Sequence, residues 1–272
     1  MSGPATLPSR ALILVAHPDD ESIGCGILLQ RMREPTVVFA TDGAPRAQEF
    51  WKGHESRQAY AESRKREALQ ALELAGVEQA EFLGDYGPEI FVDQELFQHL
   101  SEALDVLMRL GQIARPRVLL THAYEGGHPD HDCCSFLAHA LGRRFGIPVW
   151  EMPFYYSMQE PKGVQRFLTA TAESAIEAND DELGRKSQMV ASYLSQREFL
   201  RNFELNAERF RPQPAYDYSR PPHDGVLNYE AWGWPIKGRE LCSAFMQVQP
   251  RRAAPKSARA ARQARQGHVA GA

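Results

Sequence analysis

Two short stretches concentrate residue types that bind metals and move protons: His17-Pro18-Asp19-Asp20 and Gly127-His128-Pro129-Asp130-His131. Imidazole nitrogen and carboxylate oxygen both ligate zinc, and a catalytic zinc takes about three protein ligands and keeps one position open. His17, Asp20 and His131 supply such a set of two histidines and one carboxylate. Asp19 is then spare, and a spare carboxylate beside a metal is what a hydrolase needs as general base. His128 is spare as well. It is a candidate general acid for a leaving amine, or a partner for a tetrahedral oxyanion. Pro18 and Pro129 stiffen both segments, which lowers the ordering cost of placing ligands. Each residue also has a plainer reading. Asp20 or Ser22 suits a helix N-cap with Glu21 complementing the dipole, and His17 or His131 alone suits a hydrogen-bonded polar residue. The coincidence of two His/Asp clusters favours the metal.

The elements that must position these clusters are short. ALILVA (11–16), TVVFAT (36–41), AEFLG (80–84), RVLLTH (117–122) and PVWEMPFYY (148–156) read as strands, and VQRFLTAT (164–171) as a further one. Helical patterns run over 22–33, 63–77, 93–113 and 131–147, and a long one over 180–203. This alternation predicts an α/β fold with a doubly wound, mostly parallel sheet. Ligands of such sheets gather beyond the carboxyl ends of the strands. His17, Asp19 and Asp20 would follow strand one, and His122, His128 and His131 would end or follow strand four, at the same edge. Asp85 and Tyr86 follow strand three there and are candidate substrate contacts. Asp42 is either an acceptor for a ligand histidine or a plain turn residue. Trp232, Trp234 and Tyr229 are candidates for stacking on a sugar ring, with simple packing as the alternative. Gly24 and Gly26 make half a dinucleotide fingerprint, but the third glycine is missing and Asp19 and Asp20 would repel a pyrophosphate. Cys133 and Cys134 are expected to pack.

The chain of 272 residues, 43% hydrophobic, can bury a substantial core. No apolar run approaches the roughly 18 residues of a membrane span, and the run at 11–16 is too short for a signal peptide. Four cysteines without CxxC spacing or a disulfide framework fit a reducing cytoplasm. The net charge of −4 is uneven: residues 251–272 carry five Arg and one Lys and no acid, leaving the first 250 at −10. An acidic body argues against nucleic-acid binding, and the basic tail reads as disordered. The expected organisation is a catalytic domain over 1–210, a Pro- and aromatic-rich extension over 211–250 packed on it, and the tail over 251–272. Oligomeric state is not readable.

AHPDDE at 16–21 with GHPDH at 127–131 resembles the PIG-L/LmbE-like family of zinc-dependent de-N-acetylases. Weaker features follow in family order: TDG at 41–43, Arg64 with Glu67 and Ala71, FLG at 82–84, and Lys186 through Tyr193 to Ser195-Gln196. The resemblance covers roughly residues 11–200. It implies a Rossmann-like fold, usually zinc, and hydrolysis of an N-acyl group from an N-acetylglucosamine-type sugar or glycoconjugate. By motif position it implies His17, Asp20 and His131 as ligands, Asp19 as general base, and His128 as acid or oxyanion partner. Arg64 would face the substrate. Two departures stand out. Gly126 occupies a position where some relatives have Tyr, leaving Tyr124 or His223 as substitutes, and Tyr193 replaces a frequent His. An amidase for thiol-sugar conjugates and a non-catalytic sugar- or metal-binding protein are the alternatives.

Overall fold

The computed structural model describes residues 10–87, 90–157, 163–169 and 171–248, so the basic tail lies outside the described residues. Five strands alternate with helices as the sequence leads one to expect: β1 (Ala11–Val15), β2 (Thr36–Phe39), β3 (Gln79–Phe82), β4 (Val118–His122) and β5 (Val149–Met152). Between them lie α1 (Asp20–Arg31), α2 (Arg57–Leu74), α3 (Leu100–Ala114) and α4 (Pro129–Phe145). All five strands pair in parallel. The chain continues through β6 (Ser174–Glu177), α5 (Asp180–Ala191), α6 (Arg197–Leu200), β7 (Ala207–Pro212), α7 (Asn228–Ala231) and α8 (Gly238–Gln247). β7 runs antiparallel to both β5 and β6, completing a seven-stranded sheet of order β3-β2-β1-β4-β5-β7-β6.

Alternation along β1 divides the interior in two. Ala11, Ile13 and Val15 enter a core with α1, α2 and α5, while Leu12, Leu14 and Ala16 enter a second core with α3, α4 and α8. The sheet therefore has helices on both faces, and its strands are buried runs as parallel sheets require. β1 lies between β2 and β4, where the order reverses. That reversal leaves a crevice beyond the carboxyl ends of β1 and β4, the two strands that deliver the histidine and aspartate clusters.

Several boundaries differ from expectation. Residues 164–171 form no strand; Val164 makes one isolated bridge to Tyr155, and the strand lies at 174–177. The helix expected over 180–203 stops at Ala191 and resumes only as α6. The helix expected over 93–113 begins at Leu100, after a 3-10 turn at Leu96–Gln98. A domain boundary at 210 would fall within β7. The segment after β7 packs through Tyr218, Leu227, Tyr229 and Phe245 on the core beside α3 and α4. Among the described residues no helix is long and apolar enough to cross a membrane.

Candidate metal centre

β1 ends two residues before His17, and α1 begins at Asp20, so Pro18 and Asp19 make the whole turn. Asp19 adopts φ 130°, a conformation that L-residues rarely take. Three anchors hold it there. Its N–H donates to Glu21 Oε2 at 3.1 Å, its Oδ2 accepts from Arg64 at 2.7 Å, and Arg64 also donates to the carbonyls of Pro18 and Gly43. Glu21 is itself fully buried and accepts from Tyr193 Oη at 2.5 Å and from Ser22. Burial pushes the Glu21 carboxyl up to about 7. Burial also pushes Asp19 well above the usual carboxylate range, against the pull of Arg64.

The second cluster sits at the start of α4. Pro129 occupies the first helical turn, where its missing N–H costs nothing. His128 is the N-cap: its Nδ1 accepts the Asp130 N–H at 3.1 Å. In a neutral ring the proton is then on Nε2, which points toward Asp93 Oδ1 at 3.5 Å. Gly127 is required by close packing, since a Cβ there would lie 1.8 Å from the Tyr155 carbonyl oxygen. Asp130 accepts from the N–H groups of Gln94 at 2.6 Å and Leu96 at 3.2 Å. Those bonds draw the loop before α3 into the site and bring Asp93 Oδ1 to 3.2 Å from His17 Nε2.

The two clusters meet at Asp20. Its Oδ2 lies 3.3 Å from His17 Nδ1 and its Oδ1 3.4 Å from His131 Nε2. His17 Nε2 hydrogen-bonds Asp130 Oδ2 at 3.3 Å, so in the neutral ring the proton is on Nε2 and Nδ1 faces the Asp20 carboxylate. Two imidazole nitrogens thus converge on one buried carboxylate, an arrangement that a cation between them would satisfy. The Asp93 Oδ1 atom is buried without an aligned hydrogen-bond partner. Ligand atoms lie within 4.8 Å of one another in three overlapping groups, His17-His128-His131, Asp20-His122-His131 and His17-Asp93-His128-Asp130, so the cluster fits a divalent transition metal, with Asp20 reaching both His17 and His131. His122 stacks on His131 with ring centroids 4.0 Å apart and 6° between planes. Its Nε2 accepts the Ala16 N–H at 3.1 Å, so that lone pair is already engaged. Burial opposes protonation of His17, but the carboxylates of Asp93, Asp20 and Asp130 outweigh it and hold its pKa well above the ordinary value. Burial raises Asp20, but His131, His122 and His17 outweigh it and hold Asp20 well below. His131 is held well below its ordinary value by burial and by His122.

A cavity of about 310 Å³ opens above this floor. Among the residues expected at the site, it is lined by His17, Asp19, Asp20, Arg64, His128 and His131. Asp19 and two backbone carbonyls engage both terminal nitrogens of Arg64, and its Nε is buried without a hydrogen-bond partner. Asp85 and Tyr124 do not line the cavity. Asp85 turns outward to pair with Lys65 at 2.6 Å, and Tyr124 Oη donates inward to the Arg220 carbonyl at 2.8 Å. Tyr86 bonds Glu81, and His223 lines a different cavity. Asp42 is a turn residue, accepting from Ala44 N–H and pairing with Arg57 at 2.5 Å. Trp232 and Trp234 reach the cavity wall, whereas Tyr229 is fully buried in the core. Cys133 and Cys134 are buried and unpaired with each other. Sequence reasoning missed Asp93 and Asp130. The signal for Asp130 was its place inside GHPDH; Asp93 had only its position beyond strand three.

Fold and site together define an α/β protein with a metal-type His/Asp centre at the switch point of a doubly wound sheet. Residues 12–141 match the family model described as PIG-L, GlcNAc-PI de-N-acetylase. Among curated proteins it is similar to a 1D-myo-inositol 2-acetamido-2-deoxy-alpha-D-glucopyranoside deacetylase of Nocardioides sp. The two are 32% identical over 156 residues, 46% of this chain and 51% of that one. The Rhodococcus erythropolis protein of the same name is 29% identical over 198 residues, 60% of this chain and 66% of its own. The chain thus spans about half to two thirds of the length of these relatives. Among solved structures, the A40926 pseudoaglycone deacetylase shares the fold at TM-score 0.60 and 17% identity, over 77% of this chain and 99% of that one. The N,N'-diacetylchitobiose deacetylase of Pyrococcus horikoshii does so at TM-score 0.52 and 17% identity, over 75% and 84%.

Proposed function

We propose that the protein is a metal-dependent N-deacetylase that hydrolyses the acetamide of an N-acetylglucosamine-type sugar or glycoconjugate to acetate and a free amine. The observation that carries this reading is the arrangement of Asp19 and His128 on the cavity floor around the donors His17, Asp20 and His131. The names of the relatives support the substrate class. His17, Asp20 and His131 would hold the ion. Two imidazoles and one carboxylate favour zinc, and iron, cobalt or nickel fit the same donors. A divalent ion there supplies polarisation of the amide carbonyl and acidification of water.

The chain's own residues do the rest. Asp19, its pKa raised by burial, takes the proton of the attacking water. Arg64 fixes the direction of the Asp19 carboxylate by its 2.7 Å bond. His128, its ring proton on Nε2 because Nδ1 accepts the Asp130 N–H, hydrogen-bonds the oxyanion, and the proton that Asp19 took from the water passes to the nitrogen that leaves. The water oxygen bonds to the carbonyl carbon, the C–N bond breaks, and the amine departs with the transferred proton. Amine release from N-acetylglucosamine, its phosphate esters, chitobiose and inositol conjugates tests this. Asp19→Ala should lower release by about 10²- to 10⁴-fold while metal content is unchanged. Undiminished release by that variant would remove Asp19 as the base.

A further inference from the structure

The cavity has a polar His/Asp floor, and Gln94 and Gln196 also line it. Most of the remaining lining is aromatic, and near His128 it rises in two steps. Trp234 stands edge-on to His128, with ring centroids 4.9 Å apart and 79° between planes. Trp232 lies 5.2 Å beyond Trp234, and Phe50 approaches Trp234 from another side at 6.5 Å. Trp232 and Phe50 are 37% and 41% exposed, so the outer step is an open apolar rim, whereas Trp234 is only partly buried behind it. Large apolar side chains left exposed at a cavity mouth mark a binding surface more often than a packing fault.

Charge narrows what that rim accepts. Among the described lining residues the one side chain with a permanent positive charge is Arg64, and Asp19 and two carbonyls already engage it. Asp19, Asp20 and Asp93 also face the cavity. A phosphate or carboxylate carried outward from the sugar would find no cationic side chain among the described residues that line the rim. An uncharged aryl or alkyl group would find aromatic faces, which suit apolar ring surfaces. None of the three rim residues belongs to either His/Asp motif. Trp232 and Trp234 lie outside the matched segment 12–141, and Phe50 sits on a 3-10 turn between β2 and α2.

We infer that the substrate is an uncharged N-acyl amino sugar whose aglycone is apolar, with the sugar ring against Trp234 and the aglycone between Trp232 and Phe50. This rests on the deacetylase reading for its chemistry and on the aromatic rim for its selectivity.

The test compares kcat/KM for phenyl N-acetylglucosaminide, both anomers, with free N-acetylglucosamine and N-acetylglucosamine 1-phosphate. The zinc-loaded protein should favour one phenyl glycoside over the free sugar by about tenfold or more, the worth of burying one ring, and the phosphate should rank last. Trp232→Ala and Phe50→Ala should each lower the phenyl-to-free-sugar ratio toward one, and Trp232→Phe should retain most of it. Phe50 is exposed enough that its substitution does not endanger folding. A ratio near one in the unmodified protein, or preference for the phosphate, overturns the inference. Binding is read separately, by tryptophan-fluorescence quenching of the Asp19→Ala protein with the phenyl glycoside. No quenching overturns the inference whatever the turnover. Quenching in a protein that hydrolyses none of the sugars leaves the rim assignment standing and overturns the deacetylase reading.

Discussion

Asp19 carries the strained backbone of the site, and strain of that kind costs about 1–3 kcal/mol unless neighbours over-determine it. Here Glu21 takes its N–H and Arg64 takes its carboxylate. Arg64 is therefore a positioning residue, and a flat guanidinium with several donors is what three acceptors at fixed points require. Arg64→Gln is expected to lower kcat by about 10- to 100-fold with metal content unchanged, and Arg64→Lys to recover little. Parallel kinetics and metal analysis check this; kcat within about twofold of the parent would contradict it. The residues of HPDD and GHPDH were legible in sequence because their chemistry is local to each motif. Arg64 was legible as a site residue but not as an engaged one, since its acceptors belong to two distant loops. Asp85 and Tyr124 were misplaced because adjacency to a strand end does not fix direction. A 3-10 turn at Leu83–Tyr86 carries Asp85 to Lys65.

Elements hold the motifs in place through buried polar ties. α1 is not continuous: Cys25 has φ −147° and ψ 23°, which frees N–H groups in the next turn. Glu208 of β7 accepts those of Ile27 at 2.6 Å and Leu28 at 3.0 Å, and Lys186 of α5 pairs with it at 2.6 Å while donating to the Ile23 carbonyl. Both charged groups are fully buried. Removing one partner of a buried pair typically costs about 3–5 kcal/mol. Lys186→Met should lower unfolding stability by that amount, read by urea denaturation; a loss below about 1 kcal/mol would show that the pair is dispensable. The strands of the first half and their helices were legible from apolar runs and spacing. The breaks were not, because tertiary partners made them. Asp130 claims the N–H groups of Gln94 and Leu96 and delays the start of α3. Tyr193 turns inward to Glu21 with ψ 71° and ends the helical path that began with α5.

At the scale of the molecule, a parallel sheet places two motifs about a hundred residues apart at one edge, and the chain after β7 adds the aromatic wall above them. The doubly wound order was legible because parallel strands need helical crossovers. The antiparallel pair β6–β7 was hidden, since β7 reads AERFRP and holds Glu208 and Arg211 where apolar residues are usual. The central claim is that one metal centre, built from both motifs, drives amide hydrolysis. The most direct test titrates metal-free protein with Zn²⁺ while following bound metal and amine release from an N-acetylated aryl glucosaminide together. Release should rise in step with occupancy and level off at one equivalent, and His131→Ala should bind no ion at that site. Undiminished release from chelated protein, or full occupancy in His131→Ala, would contradict the account.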